Sequence, residues 1–172
     1  GEKDIFIYEI SKVYYIEEGY KEENKLAFLI SGDYLSNSWN KKVKADFYTL
    51  KGMLENILSY LGLLNRYSLK LDNIPKEFHP TMSAKIYIDN FLVGHIGRIH
   101  PKTNKNEVYA CEINIDLLFS LETKNIKYKE ISKFPNVVKD IAFIMNEDIL
   151  SSQVVSEIKK SGGKIINNVE VF

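Results

Sequence analysis

Between Asp46 and Gly62 the apolar residues change period, and no other feature constrains the fold as much. Phe47, Leu50, Met53, Leu54, Ile57, Leu58 and Leu61 recur at spacings of three and four, which puts them on one stripe of a helix. Asp46 stands at the N-cap position and Gly62 at the C′ stop. Before and after this stretch the apolar residues alternate or form short continuous runs, the signature of strands. One amphipathic helix among strands must lay its stripe on a sheet. Strands, then a helix, then more strands predict an α+β fold with a mostly antiparallel sheet.

Asp4 to Ile10 and Val13 to Ile16 are β-branched and aromatic, and read as strands buried on both faces or at the centre of the sheet. Lys25 to Ser31 reads as a strand paired with them across a turn at Glu17-Glu18-Gly19. Trp39 stands alone in a polar stretch and reads as a plug over a core edge. Tyr67 to Leu71 alternates. Ala84 to Ile88 and Phe91 to Ile99 flank Asp89-Asn90, the pattern of a tight hairpin. Gly94 and Gly97 in its second arm predict close backbone approach or a bulge. Val108 to Ile113 forms a further strand that holds Cys111 as a buried thiol, and Asn114 to Leu121 a short helix begun at Asn114 or Asp116.

A second break in character comes at Ile131 to Asp140. Pro135 removes a backbone donor and pushes Phe134 towards extended geometry, so this stretch reads as a stiff connector. Beyond it, Ile141 to Met145 reads as a strand and Ile165 to Phe172 as another. Between them Ser151 or Ser152 would cap a helix carrying Val154, Val155 and Ile158 and ended by Gly162-Gly163. Strand, helix and strand make about half of a split βαβ sandwich. So short a unit buries little by itself, and both ends of the chain read as cut from something longer.

Lys plus Arg and Asp plus Glu each total 23, so the basic excess of a free-standing nucleic-acid binder is absent. A single cysteine cannot form an internal disulfide, and His79, His95 and His100 lack a metal-ligand spacing. The composition suits a reducing, cytoplasmic setting, and no apolar run is long enough to span a bilayer. His79, Ser83 and His95 are the residues an autonomous enzyme of this size would use, with a hydroxyl near an imidazole, but no acid partner can be placed. Gly94-His95-Ile96-Gly97-Arg98 lacks the glycine fingerprint and following helix of a phosphate loop. Glu17-Glu18 and Glu22-Glu23 read as a solvated loop, and Lys159, Lys160 and Lys164 as cations at a helix end.

Several segments, in order, resemble the C-terminal part of the β subunit of bacterial phenylalanyl-tRNA synthetase. Asp46-Phe47-Tyr48-Thr49-Leu50-Lys51-Gly52 is similar to that family's D-F-(F/Y)-x-L-K-G helix start, followed by its Leu-Gly-Leu at Leu61-Gly62-Leu63. His79-Pro80 with Ser83-Ala84 resembles its H-P-G-R-S-A stretch, with Thr81-Met82 in place of Gly-Arg. Gly94 to Pro101 resembles its G-x-x-G-x-(L/I)-H-P hairpin. Ile131 to Asp140 resembles the I-S-K-F-P-x-V-x-(R/K)-D opening of its anticodon-binding domain, with Val138 where a basic residue is usual.

The resemblance implies a class II synthetase-like, non-catalytic module over residues 1–123, a connector over 124–140, and the first half of a ferredoxin-like anticodon-binding domain over 141–172. It implies contact with an α subunit in a heterotetramer and positioning of the tRNA for phenylalanine. ATP and magnesium would serve the whole assembly, with no catalytic, cofactor or metal site in this stretch. Asp46, Lys51, His79, Gly94, Gly97, Arg98 and His100 would then set shape or interface, and Lys133 and Lys139 would lie near RNA.

Overall fold

The computed structural model describes residues 4–35, 43–121 and 133–171. The chain divides into two compact units, Gly1–Tyr128 and Lys129–Phe172. In the first, β1 (Ile5–Ile16), β2 (Tyr20–Ser31), β3 (Asp33–Leu35) and β4 (Val43–Lys44) precede α1 (Phe47–Tyr60). There follow β5 (Tyr67–Lys70), β6 (Phe78–Ile88), β7 (Phe91–Ile99), β8 (Val108–Asn114) and α2 (Ile115–Ser120). Six of these strands form one sheet in the order β1-β2-β8-β7-β6-β5, and each neighbouring pair is antiparallel. The unit is α+β, as the change of period requires.

Helix α1 begins where the sequence indicates. Asp46 is extended, and its carboxylate accepts the Thr49 N–H at 2.7 Å. Leu61 caps the other end, and Gly62 follows with φ 72°. Leu50, Leu54 and Leu58 are fully buried and share one core with Ile30, Ile86, Ile96, Cys111 and Ile113. Cross-strand pairs Phe28↔Cys111, Leu26↔Ile113 and Ala84↔Ile96 place their side chains on the face that α1 covers. Each buried Leu or Ile contributes about 1.5–3 kcal/mol. The Cys111 thiol is wholly buried, and that burial pushes its pKa well up, so it is inert as a nucleophile.

Strand β1 departs from expectation. The two runs form one strand, and it lies at the sheet edge instead of the centre. Phe6, Ile7, Tyr8 and Ile10 are exposed on alternating faces. Apolar, β-branched composition specifies a strand but not how many neighbours it has. Glu22 and Glu23, read as loop residues, sit within β2, where Glu22 accepts from Lys12 and Glu23 from the Tyr15 hydroxyl, each at 2.8 Å. β6 starts earlier than expected, at Phe78, because a register shift between Phe78 and Ser83 lets Pro80 sit in the strand without a ladder bond. Trp39 lies outside the described residues.

In the second unit, α3 (Ser151–Gly162) forms and Gly163 caps it with φ 53°. Its N-cap is Leu150 instead of Ser151 or Ser152; the Gln153 side chain accepts the Leu150 N–H at 2.9 Å. The two expected strands are absent among the described residues: 141–146 and 166–171 carry no regular structure. Strand geometry needs a ladder partner, and residues 133–171 contain none. The apolar side of α3 instead borders a hollow lined by Phe143, Ile149, Val154, Ile158 and Ile166.

Leu54→Ala is expected to lower the unfolding free energy by about 2–5 kcal/mol in a denaturant titration, as a buried leucine should. Tyr8→Ser, at the exposed edge, is expected to change it by less than about 0.5 kcal/mol.

Candidate functional site

Most of the residues singled out from the sequence gather on β6 and β7 and in the His100-Pro101 turn that follows β7. Gly94 and Gly97 lie on β7. A Cβ at Gly94 would overlap the Glu112 main-chain carbonyl of β8, and one at Gly97 would overlap Ser83 of β6. The two glycines therefore let β7 sit closely between its neighbours, and the β6–β7 register shifts near them. Gly97 also holds a positive φ of 156°.

His79 and His100 come together across the β6–β7 pair. Their rings stack with centroids 6.3 Å apart and planes 27° apart. Nδ1 of His79 accepts the Thr81 N–H at 3.3 Å, and Nδ1 of His100 accepts the Lys102 N–H at 3.1 Å. An acceptor Nδ1 puts the proton of a neutral ring on Nε2, the tautomer opposite to the one a ligand for metal at Nε2 needs. The His100 N–H donates to Glu77 O at 2.7 Å, closing the turn. This pair braces a loop. Among the described residues, no group of three or more His, Cys, Asp or Glu is placed to hold a metal.

The Arg98 side chain reaches Met82 of β6 and Glu107, just before β8. Its Nη1 lies 3.4 Å from Glu107 Oε1 and donates to Met82 Sδ at 3.8 Å, while the buried Nε has no partner among the described residues. Ser83 is 3% exposed, and its hydroxyl donates to Arg98 O at 3.3 Å. It ties β6 to β7. His95 stacks on Phe78 at 6.2 Å and faces Lys85 and Glu112 in register. Burial lowers its pKa, with Glu112 opposing and Lys85 and Lys25 adding to the shift. No hydrogen bond among the described residues joins Ser83 to His79 or His95, so the arrangement lacks an activated nucleophile.

The remaining singled-out residues lie elsewhere. Asp46 is the α1 cap described above. Lys51 pairs with Glu55 at 2.9 Å, and Glu55 also accepts the Tyr67 hydroxyl, pinning α1 to β5; burial and that bond push the Tyr67 pKa well up. Lys133 and Lys139 are exposed in a stretch without regular structure, in the second unit.

Sequence reasoning missed two features. Asn24 of β2 gives its N–H and its side-chain amide to the Asp116 carboxylate at 2.8 and 2.9 Å, joining residues far apart in the chain. These bonds, the main-chain one first, lower the Asp116 pKa. The other is the β1–β2 surface. Tyr8, Tyr14 and Tyr20 are 75%, 70% and 95% exposed, beside exposed Phe6, Ile10 and Ile16. Alternation named these residues as apolar, but only the sheet order exposes them.

Residues 1–115 match the family model described as the phenylalanyl tRNA synthetase beta chain CLM domain. The chain belongs to the phenylalanyl-tRNA synthetase beta chain family. The phenylalanine–tRNA ligase beta subunit of Shouchella clausii is 32% identical over 179 residues, covering 98% of this chain and 22% of that protein. The beta subunit of Bacillus subtilis is also 32% identical, over 176 residues and the same shares. That of Clostridium acetobutylicum is 33% identical over 171 residues, 96% of this chain and 21% of its own. The chain thus spans about a fifth of the length of the curated relatives it matches. The similarity runs through both units, past the end of the family model, and so includes the connector.

Gly94→Ala is expected to cost more than the about 1 kcal/mol typical of a point substitution, because the Glu112 main chain must move; thermal unfolding measures it. A pH dependence follows from His95. Its folded-state pKa lies below the ordinary 6.5, so the stability held by the neutral ring is complete above pH 6.5 and is lost as pH falls through the lowered value. His95→Gln is expected to flatten the decline in melting temperature below pH 6.5, with little change above it.

Proposed function

We propose that this chain is a non-catalytic part of the β subunit of a phenylalanine–tRNA ligase, serving as scaffold for α-subunit contact and tRNA positioning. In this reading residues 1–123 form the class II-like module, 124–140 the connector and 141–172 the first half of a ferredoxin-like anticodon-binding domain. The whole assembly, a heterotetramer, attaches phenylalanine to its tRNA in the cytoplasm at the expense of ATP, with magnesium. The observation that carries the reading is the family match over residues 1–115, extended by relatives to nearly the entire chain.

The site geometry supports a structural role for the singled-out residues. Gly94 and Gly97 permit close strand packing, Ser83 and Arg98 tie β6 to β7, and His79 and His100 brace the turn. An enzyme built on His79, Ser83 and His95 would need these groups joined through hydrogen bonds, and they are spent on other partners. The exposed aromatic and aliphatic side chains of β1 and β2 suit subunit contact, since monomers seldom leave such a patch in water. Lys133 and Lys139 remain the candidates for RNA proximity. Chemistry on phenylalanine and ATP falls to the α subunit.

The test is co-purification with an α subunit from a bacterial phenylalanine–tRNA ligase. Stable association is expected, with no aminoacylation by this chain alone. A chain that melts cooperatively yet does not bind, or that charges tRNA unaided, would overturn the reading.

A further inference from the structure

We propose that His79 and His100 form a clasp that holds the turn after β7 to the start of β6, and that a proton taken up by His100 opens it. The clasp repeats one three-residue unit, as His79-Pro80-Thr81 and as His100-Pro101-Lys102. A proline has no N–H, so the next main-chain donor after each histidine lies two residues on. In both units the ring reaches that donor. Nδ1 of His79 accepts the Thr81 N–H at 3.3 Å, and Nδ1 of His100 accepts the Lys102 N–H at 3.1 Å. Each ring thereby closes a side-chain turn of the kind that asparagine and aspartate make. Stacking of the rings, with centroids 6.3 Å apart, joins the two units. His100 also carries the main-chain bonds of the turn. Its N–H donates to Glu77 O, one residue before β6, at 2.7 Å, and its carbonyl accepts the Thr103 N–H at 2.8 Å and the Asn104 N–H at 3.2 Å.

A neutral imidazole has one donor and one acceptor nitrogen, whereas a protonated one donates from both. A proton on Nδ1 of His100 would set one N–H against another and end its side-chain turn. At His79 the Thr81 hydroxyl also lies 3.3 Å from Nδ1 and can accept from a protonated ring. His100 has no such second partner among the described residues, so it is the ring that opens the clasp. A charge on His79 as well would stack two cations. Neither ring has an ion pair with a carboxylate among the described residues to offset that charge. The charged residues of the segments that meet here are Lys76 and Glu77 before β6, Arg98 of β7, Lys102 and Lys105 after it, and Glu107 before β8. Arg98 and Glu107 pair with each other at 3.4 Å, and the third imidazole, His95, stacks on Phe78. The clasp is closed where both rings are neutral. It opens as pH falls through the range in which histidine gains its charge, about pH 8 to 5.

The experiment is NMR on the chain across that range, reading imidazole nitrogen shifts and amide exchange. At the upper end both rings are expected as the Nε2–H tautomer. As pH falls, the protection factors of the His100, Thr103 and Asn104 amides are expected to drop together about tenfold, while Leu54 of α1 keeps its protection. His100→Asn still offers an acceptor to the Lys102 N–H but does not titrate, so those amides should stay protected in it. His95→Gln should leave the drop as it is in the wild type. An Nδ1–H tautomer at His100, protection that does not change with pH, a drop that extends to Leu54, or an equal drop in His100→Asn would each overturn the proposal. So would a drop that His95→Gln abolishes. If His100→Asn does not melt cooperatively, the wild-type tautomer and the exchange of wild type and His95→Gln decide by themselves.

Discussion

Burial of Leu50, Leu54 and Leu58 against the sheet is the interaction on which the first unit depends. The stripe they form lies in one core with Ile86 of β6, Ile96 of β7 and Cys111 and Ile113 of β8. The helix in turn is fixed at both ends and along its side: Asp46 at its start, Leu61 and Gly62 at its finish, and the Lys51–Glu55–Tyr67 group against β5. Close strand packing under that helix requires Gly94 and Gly97, because any side chain at either would meet main chain or Ser83. Core and singled-out site are thus one construction. Residues that look functional because they are unusual are unusual because the packing is tight.

The same construction explains where apolar side chains are exposed among the described residues. α1 covers the middle of the sheet, and the β1–β2 hairpin runs beyond it, since β2 pairs with β8 only over Lys25–Ser31. The remaining ribbon carries Tyr14, Ile16 and Tyr20 into solvent. Two-stranded ribbons are marginal without a third strand or a packed face. Here Lys12–Glu22, Lys21–Glu17 and the Tyr15–Glu23 hydrogen bond stiffen it across the strands.

Legibility in the sequence followed range. The α1 helix, its cap, the Asp89-Asn90 hairpin and the buried thiol were readable because period and turn chemistry act over a few residues. The place of β1 was not, because edge and centre strands differ only in neighbours supplied from elsewhere in the chain. The Asn24–Asp116 tie and the His79–His100 stack depend on strand order and register, and no local pattern announces them. In the second unit, Ile141 to Met145 and Ile165 to Val171 have strand composition but no ladder partner among residues 133–171, so propensity alone did not make them strands.

The central claim is that β1 and β2 present the surface through which this chain joins a catalytic partner. Hydroxyl-radical footprinting of side chains, on the chain alone and bound to an α subunit, tests it most directly. The account predicts that Phe6, Tyr8, Tyr14 and Tyr20 react in the free chain and are shielded in the complex, while buried Tyr109 is unreactive in both. A complex that forms with those four residues as reactive as before would contradict it.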